Sequence, residues 1–374
     1  MSSQPDTIWP ITPHTEAKHN ILRAYFGAWL SIVGQKFPRV VFVDGFCGPG
    51  QYVGGEPGSP VVVIEEAKKA LATRPVIRKD LRIELYFSDL DPKRIEHLNQ
   101  RLAALGSLDG RIQLAAPSVG GFEERIQPIL KDVEGRSGTT PFLVFIDPFG
   151  VKGYSAGTIQ RILRLYGAEV FFLLDVDGIV RMIAAWSDEN KKILLDASGL
   201  SEEDLLWIGS QKDRIGAFRV KYYGSLRQKR IAKGILPFRM YGPGKQPLHD
   251  MVFLTNNELG FLKMKEAMWQ SAGTDFSFSE AEHPDQQPLQ FDTAESHLWQ
   301  RLMEQFAGQM VSGEKVRKFV ELGTLYLNKH KTEALKRHEA DGVAAHERIS
   351  VSGRGKGPRG YPDGVTITFP PART

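Results

Sequence analysis

The sequence predicts an α/β protein in which a mainly parallel sheet ends in an antiparallel hairpin and is followed by a separate helical module. Three observations predict this. Five short apolar runs, at 40–43, 83–87, 112–115, 142–146 and 170–174, alternate with stretches long enough for crossover helices. The next two strand-like runs, Phe238–Tyr241 and Met251–Leu254, are joined by a short connection containing Gly242-Pro243-Gly244, which leaves no room for a crossover helix and makes them a hairpin. A polar, aperiodic stretch at 271–294, with Pro284 and Pro288, then reads as a linker ahead of residues 295–374.

In chain order, residues 15–34 form the first helix, since Ile21, Tyr25, Trp29 and Ile32 recur at helical spacing. The strand at 40–43 runs into a Gly/Pro-rich loop. Ser59 reads as an N-cap with Pro60 at the first helical position, opening a helix at 60–72. Strand 83–87 precedes a helix at 92–105 that Asp91 caps and Pro92 opens. A short strand at 112–115, a helix at 121–132, strand 142–146, a helix at 156–166 and strand 170–174 complete the alternation. Residues 177–235 are charged and mostly helical, an insertion or cap. Beyond the linker, helices at 296–308, 314–321 and 329–340 precede two alternating strands, 349–351 and 365–369, around the glycine-rich loop 352–363. Three helices and a hairpin in this order read as a winged helix-turn-helix.

The composition, 41% hydrophobic and 25% charged, is that of a globular domain. No apolar run is long enough to span a bilayer, and Met1–Thr7 lacks the apolar core of a signal peptide. Cys47 is the one cysteine, which excludes an intrachain disulfide and a cysteine-based zinc cluster and fits a reducing, cytoplasmic setting. The net charge of +4 is uneven: residues 311–374 hold 12 Lys and Arg against 7 Asp and Glu, a net of +5, and the remainder carries −1.

The candidate chemistry lies where strands meet loops. Val40–Val43 leads into Asp44-Gly45-Phe46-Cys47-Gly48-Pro49-Gly50, a D-x-F-x-G-x-G spacing whose glycines let the chain turn sharply and a ligand approach the backbone. A glycine-rich turn without a ligand has the same spelling. The pattern resembles the first motif of S-adenosylmethionine (SAM)-dependent methyltransferases, which makes Asp44, Gly45, Phe46, Gly48 and Gly50 candidate cofactor residues. Asp89, after the second strand, stands where nucleotide-binding α/β folds place a ribose acceptor, although a turn-capping role fits it equally. Ser118, after the third strand, is the candidate near adenine. The fourth strand ends in Asp147-Pro148-Phe149-Gly150, which resembles the Asp-Pro-Pro-aromatic motif of amino-directed methyltransferases. That likeness implies that Asp147 and Pro148 orient an acceptor amine and Phe149 stacks on a base. Here one proline is missing, so the adenine amino group is not specified. Asp175 and Asp177 close the fifth strand without a nearby histidine in sequence, and no metal site is assigned; with Asp147 they give a weaker reading as a metal-dependent nuclease. His19, His97 and His249 lie on separate elements and read as structural or exposed rather than catalytic.

At the C-terminus, Lys331, Lys336 and Arg337 on the third helix, and Arg348, Arg354, Lys356 and Arg359 on the wing, are candidate phosphate contacts for DNA or RNA. A winged helix that binds only protein is the alternative.

Taken together, Lys18-His19-Asn20-Ile21-Leu22 with Trp29, the Asp44–Gly50 loop, Gly58-Ser59-Pro60, Ile146–Gly150 and the C-terminal module resemble the bacterial three-Cys-motif partner (TcmP) family over nearly the whole chain. The resemblance implies a SAM-methyltransferase-like Rossmann domain at 1–270, a winged helix at 295–374, and a partner protein carrying a three-cysteine, radical-SAM-like motif. The expected function is methyl transfer to nucleic acid, with an exocyclic base amine as the candidate acceptor. The alternative is a catalytically degenerate adaptor for nucleic acid or for that partner.

Overall fold

A computed structural model describes residues 7–272, 276–279, 293–340, 344, 347–353 and 360–372. They form two compact units that divide after Ser271, with Phe278 and Ser279 returning to the first.

The first unit begins with α1 (Pro13–Lys36), capped by the Thr12 side chain, and β1 (Arg39–Asp44). Then come α2 (Ser59–Thr73), β2 (Arg82–Asp89), α3 (Pro92–Ala103), β3 (Ile112–Leu114), β4 (Ser118–Val119), α4 (Phe122–Glu134), β5 (Phe142–Ile146), α5 (Ala156–Arg164) and β6 (Ala168–Leu174). The expected insertion resolves into α6 (Val176–Ala184), α7 (Asp188–Ser198), α8 (Glu202–Ser210) and α9 (Arg214–Gln228), capped by Asp175, Ser187, Ser201 and Asp213. The strand β7 (Gly234–Tyr241) starts within the range read as insertion and turns into β8 (Pro247–Thr255). Between Thr255 and Ser271 the sequence reading assigned nothing, and the structure has α10 (Glu258–Gln270). The short strand β9 (Ser277–Ser279) falls inside the stretch read as linker.

The sheet runs β3-β2-β1-β5-β6-β8-β7-β9, with β4 beside the end of β2. β1 pairs in parallel with β2 and β5, and β5 with β6, whereas β8 is antiparallel to both β6 and β7. The hairpin expected from the short connection is therefore present, and the fold is a mainly parallel, Rossmann-like α/β sheet. Strand order reverses between β1 and β5, because β1 leads outward to β2 and β3 while β5 leads to β6 on the other side.

Both faces of the sheet are covered, which is why the central strands read as unbroken apolar runs. On one face Val41, Val43, Val144 and Phe172 pack with Phe122 and Ile126 of α4, Ile159 of α5 and Phe218 of α9. On the other, Phe42 meets Phe26 of α1 at 5.4 Å between ring centres, and Tyr25 meets Phe253 at 4.9 Å.

The second unit contains α11 (Ala294–Phe306), β10 (Met310–Ser312), α12 (Gly313–Gly323), α13 (Asn328–Glu339), β11 (Ser350–Ser352) and β12 (Thr366–Thr368). Its antiparallel sheet runs β10-β12-β11, with Val311, Ile367 and Val351 in register. The strand β10, absent from the sequence reading, adds a third member to the expected pair. Leu298, Leu302, Phe306, Val316, Leu335 and Ile367 form its core.

Candidate active site

The β1 loop and the β5 loop meet at the C-terminal edge of the sheet, at the point where strand order reverses. Phe46, Gly48, Gly50, Asp147, Pro148 and Phe149 share one cavity of about 410 Å³ with Lys18, His19, Tyr52 and His249. Its size falls within the roughly 300–1,000 Å³ common for small-molecule sites.

The loop is held by its backbone. Cys47 N–H donates to Ser88 O at 3.0 Å, Gly58 N–H to Gly50 O at 2.8 Å, and His97 Nδ1 lies 2.9 Å from Pro49 O. Gly45 leaves no room for a side chain, since a Cβ there would overlap the Phe122 ring. Gly50 has φ 76°, and a Cβ on it would come within 2.6 Å of Leu98 Cδ1.

Asp44 is fully buried. Its Oδ1 accepts from the Phe46 N–H at 3.0 Å, while Oδ2 has no partner in hydrogen-bond geometry. Burial raises its pKa to about 7; the Ser59 hydroxyl and Phe46 N–H oppose this rise, and Asp147 and Asp89 add to it. A buried carboxyl with a free oxygen is costly unless something completes it.

Asp89 is also buried, but it is engaged. Its Oδ2 accepts from the Gly48 N–H at 3.1 Å and its Oδ1 from the Asp91 N–H at 2.9 Å, with the Arg94 guanidinium 3.5 Å away. It stitches the glycine loop to the end of β2. Asp91 caps α3 as expected, accepting from the Lys93 N–H. Ser118 lies apart from the main cavity, in a second one of about 310 Å³ with Ala116, Phe87 and Phe122.

Asp147 is held by a residue that the sequence reading had not placed in the site. Lys18 Nζ, on α1, donates to both carboxylate oxygens at 2.8 and 2.7 Å. Neighbouring His19 is buried, with Nδ1 unpartnered, and its pKa is lowered to about 4 by burial and by Lys18, against the pull of Asp147. It is therefore neutral at pH 7. The signal available in the sequence was a Lys-His pair one turn ahead of Ile21 and Leu22, on the apolar side of α1.

Phe149 is 65% exposed, and its ring is not bare. Trp9 meets it edge-on at 5.7 Å, and the Arg94 guanidinium lies 4.7 Å above the Phe149 ring and 5.1 Å from the Trp9 ring. Nothing local in the sequence tied Trp9 or Arg94 to the Asp-Pro-Phe loop.

Asp175 and Asp177 do not form a joint acidic site with Asp147. Asp175 caps α6 through the Gly178 N–H at 2.8 Å and stands 3.5 Å from His249 Nδ1, and Asp177 pairs with Arg181 at 3.3 Å. Burial pushes the Asp175 carboxyl up, but His249 and the Gly178 N–H outweigh it and hold the group below its ordinary value. Among the described residues, no three His, Cys, Asp or Glu side chains are grouped to hold a metal ion. The nuclease reading therefore lacks its ligand set.

In the second unit the basic candidates separate. Lys336 is exposed and pairs with Glu333 at 2.8 Å, and Arg337 is exposed and reaches Thr293 Oγ1. Arg348 donates to Ala340 O at 3.2 Å. Lys331 is a correction. It is 2% exposed, and its ammonium donates to Tyr361 O at 3.3 Å, so it cannot meet a phosphate in this arrangement. It shares a helix face with Ala334 and Leu335, which pack in the core. Arg354, Lys356 and Arg359 lie outside the described residues. Among the described residues, no helix is long and apolar enough to cross a membrane.

No protein-family model matches the sequence, and a search of curated proteins finds no relative. Among solved structures, the chain is similar to the O-methyltransferase from Bacillus cereus in complex with SAH, at 12% identity over 67% of this chain and 84% of that one, with a TM-score of 0.35. It is similar to Trm1 from Pyrococcus horikoshii with S-adenosyl-L-methionine, at 10% identity over 99% and 94% of the two chains and a TM-score of 0.33. MNMC2 from Aquifex aeolicus matches at 12% identity over 52% and 71%, with a TM-score of 0.26. These are remote likenesses, and no residue role is carried across them.

Proposed function

We propose that the first unit is a SAM-dependent methyltransferase domain and that the second is a winged helix that brings it to nucleic acid. The observation that supports this best is the meeting of the Asp44–Gly50 loop and the Asp147–Phe149 loop around one cavity at the reversal of strand order, where open α/β sheets bind ligands. The sheet order, with one antiparallel strand set between β6 and β7, is that of the methyltransferase variant of the Rossmann fold.

The residues present fit the cofactor. SAM carries an α-ammonium and an α-carboxylate. Lys18 lines the cavity with an ammonium that Asp147 already holds, and Asp44, buried beneath the loop that lines the cavity, keeps an oxygen without a hydrogen-bond partner. The loop from Phe46 to Gly50 supplies close backbone. Leu90 and Val119, exposed apolar side chains beside Asp89 at the ends of β2 and β4, border the region assigned to adenine. When bound, SAM supplies an electrophilic methyl group; the protein's part is to hold it, exclude water and present an acceptor.

Calorimetric titration with SAM and S-adenosylhomocysteine tests the assignment. Wild-type protein is expected to bind at submillimolar concentration. Lys18→Met removes a charge-assisted hydrogen bond, a loss of roughly 1.5–3 kcal/mol or about ten- to a hundredfold in affinity. No heat and no melting shift at millimolar SAM would end the cofactor reading. A second reading, an adaptor with a degenerate site that acts alone or beside a three-cysteine protein, is favoured by the Arg94 guanidinium seated on Phe149 and gains if SAM does not bind.

A further inference from the structure

Resting on the methyltransferase reading, we propose that His249, oriented by Asp175, is the general base that takes the proton an acceptor hydroxyl loses as it is methylated. His249 lies near the start of β8, and β8 runs antiparallel to β6, so it emerges beside the end of β6 where Asp175 sits; Asp250 pairs with Leu174. The topology thus carries a histidine to the edge of the sheet that bears the candidate cofactor loop, though 74 residues separate it from Asp175 in sequence. The imidazole lines the same cavity as Asp147 and Phe149.

The orientation of the ring follows from its two nitrogens. Nδ1 is buried and stands 3.5 Å from Asp175 Oδ1, at ion-pair distance but outside hydrogen-bond geometry, and nothing else bonds to it. The side chain is 30% exposed, so the exposure belongs to the far edge of the ring, which carries Nε2. A proton on Nδ1 facing the carboxylate leaves Nε2 with a lone pair toward the cavity, the state a base requires. Asp175 is itself fixed by capping α6, and catalytic hydrogen bonds are often long before substrate arrives. The charged and titratable groups around the ring are Asp175 at the cap of α6, His14 from α1 at 6.3 Å between ring centres, and the Lys18–Asp147 pair; Arg181 and Asp177 belong to α6 itself.

The same cavity argues for a hydroxyl. The carboxylate expected to orient an amine, Asp147, already accepts from the Lys18 ammonium at both oxygens, so an incoming amine would compete with that ion pair. An amine can be alkylated and shed its proton to water afterwards, whereas a hydroxyl is a poor nucleophile until its proton is removed. In the step, the acceptor oxygen forms a bond to the methyl carbon as the carbon–sulfur bond of the donor breaks. The sulfonium leaves as a neutral thioether, and the hydroxyl proton passes to His249 Nε2.

Nitrogen-15 NMR of histidine-labelled full-length protein near pH 7.5 tests the dyad without a substrate. His249 is expected as the Nδ1–H tautomer. Asp175→Ser keeps a cap for α6 but is too short to reach the ring, and should shift the population toward Nε2–H by several-fold. His249→Gln assigns the signal and should leave SAM affinity within about threefold. An Nε2–H tautomer in the wild type overturns the dyad, as does a tautomer indifferent to Asp175→Ser. A tenfold loss of SAM affinity in His249→Gln places the ring on the cofactor and overturns its role as base. A wild-type protein that binds no SAM overturns the methyltransferase reading, and this proposal with it; SAM binding with the wrong tautomer overturns the dyad alone.

Discussion

Two buried acids have the same altered acidity for different uses. Asp44 lies buried beneath the glycine loop with an oxygen to spare, while Glu169 on β6 accepts from Tyr25 at 2.6 Å and Thr255 at 2.8 Å. Burial raises the Glu169 pKa from 4.5 to about 7, even against those two hydrogen bonds. Between those values the folded protein keeps a proton that the unfolded chain has released, so this group's contribution to stability is lost as pH rises through that window. Its full effect is on the order of 3 kcal/mol. Melting temperatures from pH 4.5 to 8 should fall more steeply in the wild type than in Glu169→Gln; parallel curves would show that Glu169 does not carry the dependence. At this scale the sequence was only half legible. Asp44 and Asp147 stand out because their motifs are contiguous. Lys18, Arg94 and His249 do not, because each reaches the site from a distant part of the chain. Asp89 illustrates a different limit: its position after β2 was readable, but its use by the Gly48 N–H was not. Lys331 shows a sign that was present and passed over, since a lysine three and four residues before core positions Ala334 and Leu335 points inward.

The elements were more legible than the residues, and the reasons are physical. β1, β5 and β6 are buried on both faces, so their apolar runs are unambiguous, and the cap at Asp91 and the proline opening at Pro60 are local chemistry, although Gly58, with no side-chain bond, and not Ser59 holds the cap position of α2. The helix α10 escaped because its polarity misleads: Lys265 is buried with Phe261, Met264, Ala267 and Met268 while Leu259 is exposed, which blurs a one-sided pattern. The insertion was legible as helical but not in how it is fastened. Arg219 of α9 donates through Nε to Asp250 of β8 at 2.9 Å, and Tyr223 donates to the same carboxylate at 2.7 Å. Arg219→Met would leave Asp250 fully buried beside a single phenol, and should cost about 3–5 kcal/mol in urea unfolding. A loss under about 1 kcal/mol would mean that the apolar packing of α9 holds the insertion without this clasp. In the loop, Gly50→Ala combines a left-handed φ with the Leu98 contact and should destabilise by roughly 1–3 kcal/mol.

For the whole molecule the informative quantity is the distribution of charge. The excess of +5 over residues 311–374, against −1 for the remainder, puts the electrostatic attraction for a polyanion in the second unit. With Lys331 buried, the residues left to test on the proposed winged helix are Lys336, Arg337 and Arg348 among those described, and Arg354, Lys356 and Arg359 outside them. Each phosphate contact contributes roughly −0.9 to the slope of log affinity against log salt on duplex DNA, so neutralising Arg354, Lys356 and Arg359 together should flatten that slope by about two to three. Lys331→Met should leave it unchanged while lowering stability. An unaltered slope in the triple variant would turn the second unit toward a protein partner.

The Arg94 guanidinium, flat and delocalised, covers the ring of Phe149 while leaning on Asp89 and Asp91 at 3.5 and 3.7 Å. A molecule that stacks on Phe149 from that side must evict it, so association there is an exchange rather than an addition. The measured affinity is the difference between two stacks, less the cost of drawing a cation away from two carboxylates. If Phe149 stacks on an acceptor as proposed, an aliphatic group has less to set against the arginine already on the ring than a broad aromatic one has. Selectivity then comes from the incumbent as much as from the pocket, and a truncated arginine should widen the range of molecules admitted while each is held less selectively.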